Sequence, residues 1–169
     1  QYEMEISFGA VPQGDHCVNP YDISSPGTYT YGELNGAGAE LDLEHVSTNC
    51  INYSSGAPGP DQVWKVTLPP DNFLRATMDP TSSWSPTLYA VTDCADLDGT
   101  CLDGEYDSSY NYVASVFVTN PNASQSMDVY LVADYYTSVS FSRAYHMIID
   151  FGAIPDGFDC DNPRTDITS

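Results

Sequence analysis

Positive charge is what this chain has least of. It carries 24 acidic residues against four basic ones, Lys65, Arg75, Arg143 and Arg164, and no basic residue falls between Arg75 and Arg143. Nucleic acids and anionic membranes are bound largely through Lys and Arg, so a formal net charge of −20 argues against both as partners. Long apolar runs are missing too. Nothing approaches the roughly 18 consecutive apolar residues of a membrane helix. There is no basic segment followed by an apolar stretch, so any secretion leader is expected to lie upstream or to have been removed.

Several signatures of chemistry are absent. The sequence has no Cys-x-x-Cys pair, no His-Glu-x-x-His, no Gly-x-Ser-x-Gly elbow and no phosphate-cradling glycine loop. His16, His45 and His146 are scattered, which disfavours zinc and leaves a Ser/His/Asp triad only as an assembly of distant segments. Carboxylate pairs of the kind used in glycoside hydrolysis are available in any chain this acidic and discriminate nothing. His146, set between Tyr145 and Met147 on a strand pattern, reads as a structural histidine. The chain is expected not to be an enzyme.

Alternation of apolar and polar residues is plentiful, and little supports helix. Thirteen tyrosines with many Ser, Thr, Asn, Asp, Gly and Pro suit strands joined by turns. Strand patterns run over Tyr2 to Ala10, Gly27 to Leu34 and Asp61 to Pro69, then over "NFLRATMDP", "SPTLYAVTDC", "NYVASVFVTN", "SMDVYLVADYY" and finally Tyr145 to Ala153. Within Asp61 to Pro69 the set Trp64, Val66 and Leu68 is expected to face inward. Seven or eight such strands predict one all-β domain, an antiparallel β-sandwich of jelly-roll-like form stapled by disulfides.

The chain also repeats itself. "FGAVPQGDHCVNP", Phe8 to Pro20, returns as "FGAIPDGFDCDNP", Phe151 to Pro163, at a constant offset of 143 residues, and Tyr2, Met4 and Ile6 match Tyr145, Met147 and Ile149 at the same offset. Solenoid units of about 20 to 50 residues are excluded by so long a period. The expected organisation is a closing strand of a preceding repeat over 1–11, a complete sandwich over 12–153, and the start of the next repeat or a linker over 154–169. Tyr2, Met4, Ile6, Phe8 and Cys160 are then inter-repeat residues, and the partners are neighbouring copies of the same unit.

One period holds four cysteines, Cys17, Cys50, Cys94 and Cys101, and Cys160 repeats Cys17. Proximity favours a short Cys94 to Cys101 bridge with Cys17 to Cys50 as the longer one, although four cysteines allow three pairings. Either way, bridges require an oxidising compartment.

The order of motifs resembles the bacterial pre-peptidase C-terminal (PPC) domain family. The resemblance lies in Cys17, Asn19 and Pro20, in Gly59 to Pro69, in Ser85 to Cys94, in Cys101, and in Val129 to Tyr136. It implies a non-catalytic β-sandwich module of a secreted or surface protein, in a family whose members occur in tandem, some of which bind calcium or insoluble polymers. Two features depart from the pattern: the acidic loop is longer, and no protease domain is present.

That loop, "TDCADLDGTCLDGEYDSS", gathers Asp93, Asp96, Asp98, Asp103, Glu105 and Asp107. Calcium takes six to eight hard oxygen ligands, which makes the loop a candidate calcium site, with a solvated acidic loop as the bland alternative. Tyr106, Tyr110 and Tyr112, with Tyr135 and Tyr136, are candidate ligand contacts, because rigid amphipathic rings stack on sugars or pack on a partner; burial in the core is the commoner use. Asn52 and Asn122 head glycosylation sequons. The leading expectation is an extracellular structural repeat of a stalk, adhesin or fibre. The alternative is a module that targets a secreted enzyme to a carbohydrate or protein polymer.

Overall fold

A computed structural model describes residues 10–31, 34, 50, 59–106, 113–135 and 144–155. The strand pattern from Tyr2 to Gly9 lies outside the described residues, as do Asp107, Tyr110, Tyr112, Tyr136, His45, Asn52 and Cys160.

Among the described residues, nine strands and one helical turn follow in order: β1 (Tyr21–Ile23), β2 (Gly27–Tyr31), β3 (Gln62–Leu68), β4 (Asn72–Pro80), β5 (Pro86–Val91), α1 (Leu97–Thr100), β6 (Cys101–Tyr106), β7 (Ala114–Asn120), β8 (Met127–Tyr135) and β9 (Tyr145–Ala153). They form two sheets, β1-β3-β8-β5-β6 and β2-β9-β4-β7, packed face to face. The chain is thus the expected β-sandwich. One pairing is not antiparallel: β1 runs parallel to β3, with Tyr21 opposite Trp64.

Most strands sit where alternation put them. Trp64, Val66 and Leu68 are fully buried between the sheets, as their phase requires. Two strands were not legible. β1 is three residues long, too short to show a period. β6 has the sequence Cys-Leu-Asp-Gly-Glu-Tyr, in which acids and glycine depress strand propensity; it forms because its backbone pairs with β5 at the edge of the first sheet.

The two sheets meet around two tryptophans. Trp64 packs against Tyr21, Tyr29 and Tyr145 at ring-centre distances of 5.1, 5.7 and 6.5 Å, and Trp84 lies edge-on to Tyr135 and Tyr145 at 5.8 and 6.5 Å. Geometries of this kind add to area burial about 0.5–1.5 kcal/mol per pair. Tyr145 also supplies the polar link across the interior. Its hydroxyl accepts from Trp64 Nε1 at 3.0 Å and donates to Gln62 Oε1 at 2.7 Å, so β9 of one sheet is bonded to β3 of the other.

At the opposite pole the organiser is Asn120, which is buried. Its side-chain amide donates to the carbonyls of Leu68, Pro69 and Gln125 at 3.0, 3.1 and 2.9 Å, and its Oδ1 accepts from Asn122 N–H. One side chain thereby fixes the β3–β4 turn and the β7–β8 turn together. Asp71 completes that turn in the left-handed region at φ 53°, which Asp tolerates better than most residues.

Tyr145→Phe is expected to lower stability by about 1–3 kcal/mol, since both buried bonds of the hydroxyl are lost while the ring remains. Asn120→Ala is expected to cost at least as much, because several carbonyls lose one donor. Urea unfolding checks both: the midpoint should fall with the slope unchanged, as a change in stability alone requires.

Candidate functional site

Part of the outer face of the first sheet is not a solvated surface. Val63, Tyr89, Val91 and Val132 are fully buried there in a second apolar cluster, joined by Cys50 and packed by Cys17, Cys94, Leu97, Cys101 and Tyr130. β5, the first residues of β3 and the last residues of β8 are therefore buried on both faces. What covers them is held by disulfides.

The pairing is the reverse of the one that proximity suggested. Cys17 is joined to Cys94 and Cys50 to Cys101, with Cα separations of 6.2 and 5.6 Å. Between Cys94 and Cys101 the chain makes the single turn α1, in which Asp96 Oδ1 accepts from Gly99 N–H at 2.9 Å and the Thr100 hydroxyl lies 2.7 Å from the Asp96 carbonyl. Cys94 and Cys101 each hold a cysteine from a distant part of the chain, Cys17 and Cys50 respectively, against the outer face. The bridges span 77 and 51 residues, loops for which the chain-entropy picture gives roughly 4 kcal/mol each. Two structural disulfides indicate an oxidising, non-cytoplasmic location. No helix among the described residues is long and apolar enough to cross a membrane.

The acidic loop resolves into separate duties. Asp93 Oδ1 accepts from Ala95 N–H and Asp96 caps α1, whose first turn carries the exposed Asp98. Asp103 and Glu105 lie on β6 and reach across to the other sheet. Asp103 Oδ2 accepts from Phe117 N–H at 2.7 Å and Glu105 Oε2 from Ser115 N–H at 2.6 Å, while Asp103 Oδ1 binds Gly104 N–H at 2.9 Å. β7 is an edge strand that pairs only with β4, so these carboxylates satisfy amides on its open side and clamp the two sheets along one edge. Among the described residues, no three His, Cys, Asp or Glu groups stand together in a way that could hold a metal ion.

The candidate aromatic contacts divide in the same way. Tyr135 belongs to the core against Trp84, and Tyr106 is half-buried at the end of β6. His146 is half-buried on β9, and His16 accepts from Val18 N–H at 3.3 Å within the turn that leads to Cys17. A cleft of about 380 Å³ opens beside the Cys17–Cys94 bridge, with His16, Asp93 and Tyr130 as its polar lining. That volume is at the small end for ligand pockets. Sequence reading did not anticipate Tyr130 in this role. Nor did it single out Asp61, Thr87 and Asp134, which are fully buried, Asp61 just before β3 and the other two on the outer-face phase of β5 and β8, where Thr87 stands opposite Asp134. Their signal was the strand phase itself, which puts acids on a face whose covering the sequence does not announce.

Lys65 extends the row along β3 and β8. Its ammonium lies 2.8 Å from Asp128 Oδ2 and 5.8 Å from the Tyr130 ring centre, and Thr67 Oγ1 donates to Asp128 Oδ1 at 2.7 Å. The hydrogen bond from Lys65, then that from Thr67, holds the Asp128 carboxyl below its usual range, and the bond to Asp128 raises the Lys65 ammonium.

For a lowered carboxyl, the stabilisation is present above the ordinary carboxylate pKa of about 4 and is lost as pH falls through the folded-state value. Both groups are partly solvated, so Asp128→Asn is expected to cost under about 1 kcal/mol at neutral pH and to make stability less steep below about pH 4. Asp103→Ala is expected to cost more, about 1–3 kcal/mol, because charged acceptors to backbone amides are lost. That loss should be the same in chelator and in millimolar calcium if Asp103 acts through β7, and calorimetry in the two buffers reads the difference. No known protein family matches the chain, and neither does any curated protein.

Proposed function

We propose that this chain is a non-enzymatic extracellular building unit, a PPC-like sandwich repeated in tandem within a surface stalk, adhesin or fibre. One observation carries the reading. On β9, Tyr145, Met147, Ile149 and Phe151 face the core, and the first three are almost completely buried. Tyr2, Met4, Ile6 and Phe8 are the same four residues in the same order, whereas the outward positions His146, Ile148 and Asp150 are replaced by Glu3, Glu5 and Ser7. A strand keeps one face and changes the other when the kept face fits a shaped interior. Tyr2 repeats even the residue whose hydroxyl bonds Trp64 and Gln62. The N-terminal segment therefore reads as the closing strand of a sandwich with the same core.

Three further features support the proposal. The disulfides suit an oxidising exterior. The acidic residues on β6 serve as backbone acceptors. The high negative charge favours solubility and repels polyanions. The cleft beside Cys17–Cys94 favours the second reading, a polymer-targeting module, with His16, Asp93 and Tyr130 as contacts.

Peptide mapping and intact mass of the native protein separate the two. The tandem reading expects several copies at a period of 143 residues and a unit that binds no polysaccharide or collagen in pull-down. One copy fused to a catalytic domain, with binding abolished by Tyr130→Ala, would replace it with the targeting reading.

A further inference from the structure

The chain enters and leaves the sandwich at opposite poles. Near its start, the Gly14 carbonyl accepts from Val63 N–H at 2.7 Å, beside the first residues of β3. At its end, Ala153 pairs with Asn72, next to the turn that follows the last residue of β3. A following unit thus continues along the strand direction, at about 30 Å of strand for a nine-residue element. Head-to-tail contacts of this kind extend rather than close.

The residue at the junction is described in both of its settings, once as Ile154 and once as its equivalent Val11. As Ile154, its N–H donates to the Asp71 carbonyl at 3.0 Å, and Asp71 N–H in turn donates to the Asn120 carbonyl at 3.1 Å. The finishing sandwich therefore holds the amide side of this residue. As Val11, its carbonyl accepts from Asn19 Nδ2 at 2.9 Å. Asn19 is itself fixed, since its carbonyl accepts from Gly14 N–H at 2.6 Å and its N–H donates to the His16 carbonyl at 2.9 Å. The starting sandwich therefore holds the carbonyl side.

The second set of contacts is written again in the sequence. Pro155, Gly157, Cys160, Asn162 and Pro163 repeat Pro12, Gly14, Cys17, Asn19 and Pro20, while Gln13, Asp15, His16 and Val18 change to Asp156, Phe158, Asp159 and Asp161. The retained residues are those that build the turn. Gly14 has φ 81°, the left-handed region that glycine enters at no steric cost. Asn19 supplies the bond to Val11, and Cys17 the bridge to Cys94. The changed positions include Val18, which is 73% exposed.

We infer that consecutive units share the Val11/Ile154 residue, bound through its N–H by the preceding sandwich and through its C=O by the following one, so that no free linker separates them and they stack in a fixed orientation. The partner is a second copy of this unit. The inference rests on the tandem reading, and goes beyond it by assigning a rigid geometry to the junction.

The test is a chain of two copies, residues 1–153 followed directly by 11–169, studied by 15N relaxation and residual dipolar couplings. Both copies are expected to share one alignment tensor and one correlation time. A four-residue Gly-Ser insertion after Ala153 is expected to split them and to shorten the correlation time of each copy toward that of a single unit. Asn19→Ala in the second copy alone is expected to loosen the junction while disulfide mapping still finds Cys17 joined to Cys94. Independent tumbling of the uninterrupted pair would overturn the inference and leave the tandem reading standing, since that reading fails on the native copy number instead. A junction as stiff with Asn19→Ala as without it would overturn the role given to Asn19.

Discussion

Much of this structure depends on a single hydroxyl placed between two sheets. Tyr145 Oη lies in an interior shared with Trp64 and Trp84, where an unmet polar group would be costly, and it meets one donor and one acceptor from β3. Hydrophobic burial alone does not set how two sheets slide on each other. A bond that requires Trp64, Gln62 and Tyr145 to coincide does set it, because a shift by one residue turns every side chain of a strand to the other face. The tilt of Tyr21 and Tyr29 around Trp64 follows from the same placement.

A second constraint comes from having strands buried on both sides. β8 buries Val129, Leu131, Ala133 and Tyr135 toward the other sheet and Val132 toward the outside. A two-layer sandwich has only one interior, so the outer face needs a cover. Among the described residues, Cys17 and Cys50 pack on that face. The bridges join Cys17 to Cys94, just before α1, and Cys50 to Cys101, at the start of β6, so each is fixed to a different point of one connection. A local Cys94 to Cys101 bridge would have left neither of them attached to it.

Periodicity made the sandwich legible, and its failures have physical causes. β3, β4, β5, β7, β8 and β9 were readable because one face of each alternates against a core. β6 was misread as a loop because its acids look like solvated or metal-binding groups, and their backbone acceptors on β7 are distant in sequence. The disulfide pattern was misread for a related reason: sequence proximity says nothing about which segment lies over which face. Asp61 and Asp134 were invisible as buried residues because their burial depends on the cover and not on their own strands. The repeat was fully legible as text, but its meaning needed β9, since only the burial of Tyr145, Met147 and Ile149 explains why those letters and not their neighbours recur.

Edges and ends of the unit are treated differently, and the difference has a direction. Two of the four sheet edges are guarded: the outward amides of Ser115 and Phe117 on β7 are taken by Glu105 and Asp103, and β1 is only three residues long, while a net charge of −20 opposes a second copy approaching laterally. That repulsion acts over about 8 Å at physiological salt, a range that opposes sheet-to-sheet contact. Along the strand axis the chain passes from Ala153 to Ile154 and is gripped at once. In the tandem arrangement proposed above, a unit held at its ends and guarded at two of its edges favours addition of copies along one dimension. Under the proposed tandem arrangement the acidity has a structural use: a net charge of −20 on each unit opposes lateral contact between neighbouring arrays, while the Val11/Ile154 junction would keep each array continuous.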